Sequence, residues 1–442
     1  MYLVNKWQKM PRGKALEILT AIFKEGAYSN ILLNQTLEKS QFSDKDKALI
    51  TELVYGTVSR KITLEWYLSH FIKDRDKLDP WLYYLLMMSL YQIIYLDKLP
   101  DHAVVNDAVI IAKNRGLNRG KEKLVNAVLR RFLRTQRPDF QIIKRINKRY
   151  SIQYSLPVWL VKKMIAQYGE QRALAIFESL FVRNKTSFRV ANHEKLKEIA
   201  DFLEATPSLL SPVGLVRTSG NVTKSDYFRN GEITIQDESS QLVAPTLEIK
   251  GNEAILDACS APGGKTVHMA SYLTSGQITA LDIYEHKLHL VFENAKRMNV
   301  SDKIKTKKLD ATTVHKHFPK DSFDKILVDA PCSGIGLIRR KPEIKYQKKA
   351  DDLIALQKIQ LQILSSVCQT LRKGGIITYS TCTLFEEENN QVISLFLETH
   401  PNFKQVALTH PLKDITKNGF ISITPEQYYT DGFFIGQIKR IS

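Results

Sequence analysis

The chain is poor in cysteine and histidine clusters, and it has no long apolar run. Four cysteines, at positions 259, 332, 368 and 382, are spread over 442 residues. No pair has the C-x-x-C spacing of a zinc or redox site, and the ten histidines are scattered, so no metal site is expected. So few thiols make a poor disulfide framework, which favours a reducing compartment and predicts a cytoplasmic protein. Residues 1–14 lack the apolar core of a secretory signal. The longest nearly apolar run, residues 81–96, contains Ser89 and Gln92 and falls short of the ~20 residues that span a bilayer. Asp79 and Pro80 before it read as an N-cap and a first-turn proline, so a buried helix is predicted instead. No internal repeat or low-complexity segment is evident. Acidic residues are also in deficit, 46 against 64 lysines and arginines, which leaves a net charge of +18. That excess favours a polyanionic partner, either nucleic acid or an anionic membrane surface.

What is present is a normal globular composition, 43% apolar and 25% charged, which argues against disorder. The length implies about two to four domains. Up to about residue 145 the apolar period is helical: Leu16, Leu19, Ile22 and Phe23, then Val125, Val128, Leu129 and Phe132. An all-α domain of about six helices is predicted. Residues 113–149 hold 13 basic and two acidic side chains. Such a run is often no more than a solvated face. Here Arg130, Arg131, Arg134 and Arg137 follow one apolar stripe closely, which suits phosphate contact equally well. Residues 146–235 read as a small α+β module, with a helix at 159–168 and strands at 186–190 and 214–218. From 236 the texture changes to alternation. Strands are predicted at 254–258, 277–282, 304–309, 323–329 and 375–380. Helices are predicted at 265–273, 285–298, 351–371 and 386–399. This alternation implies a parallel sheet with helices on both faces, and 433–439 is read as a late edge strand.

In such sheets ligands bind beyond the carboxyl ends of the strands. After the first strand comes Asp257-Ala-Cys-Ser-Ala-Pro-Gly-Gly-Lys-Thr266. Pro262, Gly263 and Gly264 make a turn with little bulk, and the helix that follows offers unpaired N–H groups to an anion. A plain strand-to-helix turn would use the same residues. The G-x-G-x-x-G fingerprint of a dinucleotide site is absent. Gly264-Lys265-Thr266 matches the end of a P-loop, and 326–329 resembles a Walker B strand, but Cys259 stands where the P-loop needs its first glycine. S-adenosylmethionine needs less wrapping than a triphosphate. Asp282 at the second strand end suits a ribose diol and Asp310 at the third an adenine amino group, although either could be a helix cap. The fourth strand runs into Asp329-Ala-Pro-Cys-Ser333 and the fifth into Tyr379-Ser-Thr-Cys-Thr383. Cys368 reads as a core residue in an apolar helix. Cys332 and Cys382, with Asp329, suggest covalent chemistry.

These residues resemble the RNA cytosine-5 methyltransferases. The signatures are 259–265, Asp-Ala-Pro-Cys at 329–332 and Ser-Thr-Cys at 380–382, with 334–342 and 236–241 in support. In the amino-terminal half, Tyr55-Gly56, 99–103 with Asn106, and 125–130 look like the helical domain related to NusB. This order of domains is similar to that of the bacterial members that act on small-subunit ribosomal RNA. The resemblance implies an all-α NusB-like domain over 1–145, a small α+β RRM-like module over 146–235 and a Rossmann-type α/β methyltransferase domain over 236–442. It implies S-adenosyl-L-methionine as cofactor and methylation of C5 of a cytosine in 16S ribosomal RNA, free or in a small-subunit assembly intermediate. It makes Cys382 the nucleophile, with Cys332 assisting product release, and the chemistry of Asp329 would let it help to hold the base. It places the cofactor against Cys259, Ser260, Ala261, Pro262, Gly263, Gly264, Lys265, Asp282, Asp310 and Asp329. No membrane partner is expected, and nothing demands more than a monomer. Transfer RNA or 23S RNA as substrate, a P-loop NTPase and a non-catalytic RNA scaffold are the competing readings. The scaffold is disfavoured because it needs neither Cys332 nor Cys382.

Overall fold

A computed structural model describes residues 6–116, 120–218 and 220–442. The chain folds as two units, Met1–Phe181 with Arg340–Gln347, and Val182–Arg339 with Lys348–Ser442.

The first unit is helical. Its elements are α1 (Pro11–Glu25), α2 (Ser29–Glu38), α3 (Asp44–Ser59), α4 (Lys61–Ser69), α5 (Pro80–Tyr95), α6 (Asp101–Arg115), α7 (Lys121–Arg134), α8 (Ile146–Gln153), α9 (Val158–Tyr168) and α10 (Glu170–Ser179). A short helix, α17 (Ile344–Gln347), joins them from far along the chain. Up to residue 145 the described residues form seven longer helices rather than about six. Arg60 alone separates α3 from α4. The run at 81–96 is α5, and it is buried from Leu82 to Gln92, as an apolar helix in a globular core must be. Pro80 starts it, but Asp79 makes no side-chain cap and pairs with Lys121 instead. Segment 340–347 is tied in by polar groups. The buried Glu343 carboxylate accepts from Ser29 N–H at 3.0 Å and Ser29 Oγ at 2.8 Å, and Lys345 Nζ donates to Ser59 O at 2.8 Å. These bonds satisfy polar groups that burial would otherwise leave unpaired.

Among the described residues the second unit holds two sheets. The smaller is antiparallel, in the order β2 (Thr206–Pro207), β3 (Gly214–Arg217), β1 (Thr186–Val190) and β4 (Ile233–Ile235), with α11 (Leu196–Phe202), α12 (Asp226–Arg229) and α13 (Glu238–Gln241) in the same stretch of chain. The larger contains β5 (Ala254–Asp257), β6 (Gln277–Asp282), β7 (Ile304–Lys308), β8 (Phe323–Asp329) and β9 (Leu371–Thr381), all parallel. Helices α14 (Gly264–Ala270), α15 (Glu285–Arg297), α16 (Val314–His317) and α18 (Ala350–Val367) connect them. After β9 come α19 (Asn390–Thr399), β10 (Phe403–Val406), β11 (Thr416–Lys417), β12 (Phe420–Ile423), α20 (Pro425–Tyr428) and β13 (Phe433–Arg440). The order is β11-β12-β13-β9-β8-β5-β6-β7, with β10 also on β13. The chain runs outward from β5 through β6 to β7, then returns to β8 on the other side. The switch point therefore lies between β5 and β8, where open α/β sheets bind ligands.

Three expectations are corrected. Strand β13 is not an edge strand: it pairs with β9 on one side and β12 and β10 on the other. Its sequence Phe433-Phe-Ile-Gly-Gln-Ile438 is apolar on both faces, and it is buried through Ile438. The helix expected at 351–371 stops at Val367, and the fifth strand begins at Leu371. Cys368 is therefore just past the helix, though buried, and burial pushes its thiol up to about 12. The helix expected at 386–399 begins at Asn390, with a separate tight turn over Glu386–Glu388.

Candidate active site

The loop after β5 turns sharply at Gly263, whose φ of +101° is in the left-handed region. A Cβ there would lie 2.9 Å from Val291 Cα, so the turn against α15 demands glycine. Gly264 differs, because a Cβ built on it meets nothing within 4 Å and its side is open. The loop is pinned by its neighbours. Ser260 donates from both N–H and Oγ to Leu281 O near the end of β6, at 2.8 and 2.9 Å. Pro262 O accepts from Asn294 Nδ2 at 2.9 Å, and the Ala261–Pro262 peptide is cis. Thr266 Oγ1 donates to the buried Asp257 at 2.7 Å, and burial pushes that carboxyl up to about 7.

Cys259 is half-buried between acids. Burial, then the fields of Asp257, Asp329, Asp282 and Asp310, push its thiol well up. Loops distant in sequence thus bring their carboxylates around one side chain. Asp282 is half-exposed and accepts Tyr284 N–H at 2.9 Å. Asp310 is exposed and does act as a cap, accepting from Thr312 N–H at 2.9 Å and Thr312 Oγ1 at 2.8 Å through one oxygen.

Strands β8 and β9 pair through Asp329 and Ser380, side by side at their carboxyl ends. Asp329 receives Lys265 Nζ at 2.7 Å on one oxygen and Ser380 Oγ at 2.8 Å on the other. Burial works against the Lys265 ammonium, but Asp329 outweighs it and holds the amine above its ordinary value. Three residues past Asp329 stands Cys332, and directly after β9 stands Cys382. Their sulfurs are 3.3 Å apart. Both are free thiols and partly exposed. The contact with Cys382, then burial, pushes the Cys332 thiol well up, so Cys332 keeps its proton.

The sequence reading missed Glu388 and Gln360. The Glu388 carboxylate is fully buried beneath the two cysteine loops. It accepts from Ser333 N–H at 2.7 Å, Ser333 Oγ at 2.6 Å, Thr383 Oγ1 at 2.9 Å and Gln360 Nε2 at 3.3 Å. Gln360 also donates to Pro331 O at 2.9 Å. Three consecutive glutamates at 386–388 look like solvated surface, and only the fold singles out the third.

The first unit carries a second candidate surface. Helix α7 buries Val125, Val128, Leu129 and Phe132 and exposes Arg130, Arg131 and Arg134. A cleft of about 950 Å³ between α6 and α7 is lined by His102, Asn106, Lys123, Asn126, Arg130 and Arg134, among others. Within the basic stretch, residues 117–119 lie outside those described.

A parallel sheet with a glycine turn after its first strand, acids at the next strand ends and a switch point beside them defines the class. This is a Rossmann-type α/β fold with a ligand site at its switch point. The family described as 16S rRNA methyltransferase RsmB/F matches residues 244–439, and the NusB family matches residues 9–134. The Bacillus subtilis protein named Probable ribosomal RNA small subunit methyltransferase B is 40% identical over 97% of this chain and 98% of its own length. A counterpart of the same name from Synechocystis is 33% identical over 97% of this chain and 99% of its own. The crystal structure of PH0851 has the same fold, with a TM-score of 0.84 over 97% of this chain and 99% of that one, at 24% identity. The chain belongs to the ribosomal RNA small subunit methyltransferase B family.

Proposed function

We propose that this enzyme methylates C5 of a cytosine in 16S ribosomal RNA through a covalent bond between Cys382 and C6 of the base. The observation that carries this reading is the pair of free thiols 3.3 Å apart at the carboxyl ends of adjacent parallel strands. C5 of cytosine is a weak nucleophile toward a methyl sulfonium. Thiolate attack at C6 forms an Sγ–C6 bond, breaks the ring's aromaticity and moves electron density to C5. When C5 has gained its methyl group and given its proton to a solvent water, the Sγ–C6 bond breaks, Cys382 leaves as thiolate and the ring recovers.

Cys382 must react as thiolate. Lys265, whose ammonium is held by Asp329, is a cation of the same site. Cys332, held protonated against Cys382, is placed to assist the final elimination. Asp329, fixed by Lys265 and Ser380, is suited to accept a hydrogen bond from the amino group of the base. S-adenosyl-L-methionine, when bound, supplies the methyl group on a sulfonium. Residues 259–265, Asp282, Asp310 and Asp329 would hold it. In favour are the open side of Gly264 and the carboxylates of Asp282, Asp310 and Asp329 around Cys259. The basic face of α7 would dock RNA backbone, and the three-part division at 1–145, 146–235 and 236–442 is proposed as a functional one, although α8–α10 fold with the helical unit, which runs to Phe181. A cytoplasmic location and action as a monomer complete the reading.

The test is methyl transfer from labelled cofactor to unmodified 16S RNA, followed by nucleoside analysis, with Cys382→Ala and Cys332→Ala beside the wild type. Expected are 5-methylcytosine from the wild type, none from Cys382→Ala, and a covalent RNA complex that accumulates with Cys332→Ala. Full turnover by Cys382→Ala would overturn the nucleophile. Transfer only to 23S or transfer RNA would keep the chemistry and change the substrate.

A further inference from the structure

The methylation scheme gives no role to the fully buried Glu388. Parallel pairing of β8 and β9 ends at Asp329 and Ser380, before either cysteine is reached. Beyond that point two loops must hold two sulfurs together. One backbone bond helps, from Gly336 N–H to Cys382 O at 3.0 Å. The Ser333 and Thr383 hydroxyls also meet directly at 2.8 Å, and Glu388 holds both of them. Of its four donors, two come from Ser333, which follows Cys332, and one from Thr383, which follows Cys382. The fourth, Gln360, braces Pro331 on the other side of Cys332. Hydrogen bonds to a carboxylate are roughly twice as strong as neutral ones, and a buried acid is retained only with such partners. Burial raises the Glu388 carboxyl and the Ser333, Thr383 and Gln360 donors oppose that shift.

We infer that Glu388 is a positioning residue: its carboxylate ties the residue after Cys332 to the residue after Cys382 and thereby sets the separation of the two sulfurs. It is fully buried and so closed off from RNA and cofactor alike. Its effect on turnover, which rests on the cysteine chemistry proposed above, comes through the cysteine pair.

Glu388→Gln keeps shape and volume. Its amide oxygen still accepts the two N–H donors, but its NH2 group forces the Ser333 and Thr383 hydroxyls to turn from donors to acceptors. Glu388→Ala deletes all four bonds, and if it does not fold, the glutamine variant carries the test. The first readout needs no RNA. Diamide takes the two thiol hydrogens, becomes the hydrazine and leaves a Cys332–Cys382 disulfide, which peptide mass spectrometry quantifies in the full-length protein. Loosening the clamp should slow this cross-link about tenfold in Glu388→Gln and further in Glu388→Ala. The second readout is turnover. A misplacement of about 1 Å can lower a rate up to about 100-fold, so kcat should fall tenfold or more while KM for RNA and cofactor stays within about twofold. Combined with Cys332→Ala, Glu388→Gln should add little, because both act on one pair. A merely structural role would lower the melting temperature and leave the cross-linking rate and kcat unchanged below it. Wild-type cross-linking in folded Glu388→Gln would overturn the clamp, and wild-type kcat with slowed cross-linking would overturn its bearing on turnover. Failure of the nucleophile assignment would show separately, in Cys382→Ala.

Discussion

At the scale of single residues, burial decides which acids keep their protons. Asp257 is 1% exposed, and desolvation lifts it to about 7 from an ordinary 3.8. The folded state therefore binds this proton more tightly than the unfolded chain does. The stability it confers is complete below about pH 4 and is lost as pH rises through about 7, at about 1.4 kcal/mol per pH unit. Asp257→Asn, a neutral isostere that still accepts from Thr266, should remove that slope. Urea unfolding at pH 5 and pH 8 checks it: the variant should gain on the wild type at the higher pH by a few kcal/mol at most. An equal difference at both pH values would show that Asp257 is ionised throughout. The same scale shows where sequence reading stops. Cys332 and Cys382 were legible because thiols at strand ends have few other uses. Glu388 was not, since its value comes from Ser333 and Thr383, which are 55 and 5 residues away.

At the scale of elements, the turn from β5 into α14 separates two kinds of glycine. Gly263 has a left-handed φ and Val291 backbone at 2.9 Å from any added Cβ, so Gly263→Ala should cost about 1–3 kcal/mol. Gly264 has open space, so Gly264→Ala should melt like the wild type. If the cofactor approaches that side, the added methyl should still weaken its binding. Thermal unfolding and calorimetric titration of S-adenosyl-L-methionine separate the two effects. Unchanged affinity in a stable Gly264→Ala would remove residue 264 from the cradle. The strand-ladder lesson is similar. The run 433–440 announces a strand, but its apolar residues on both faces, not its late place in the chain, decide that it lies inside the sheet.

At the scale of the whole molecule, the net charge of +18 is concentrated, with 13 basic residues between 113 and 149. The exposed Arg130, Arg131 and Arg134 of α7 are the described part of that run best placed to meet phosphate. Each phosphate neutralised releases counterions, so the logarithm of affinity falls with the logarithm of salt concentration. Reversing the three charges should weaken RNA binding and flatten that slope by about one for each phosphate no longer neutralised. Filter binding across a range of salt concentrations measures both, and unchanged affinity and slope would reduce the stripe to a solvated face.

Sequence alone determined what is local or periodic. A 3.6-residue period, alternating strands and helices, a glycine turn and cysteines at strand ends follow from short-range chemistry, and with them the helical half and the parallel-sheet half. Tertiary structure alone decided what depends on partners distant in the chain. It made β13 interior, because a strand's place depends on which neighbours bond to it. It joined Arg340–Gln347 to the helical unit, where Glu343 meets Ser29. It put two sulfurs at 3.3 Å over a buried carboxylate, because desolvation and hydrogen bonding act on distances in space rather than along the chain.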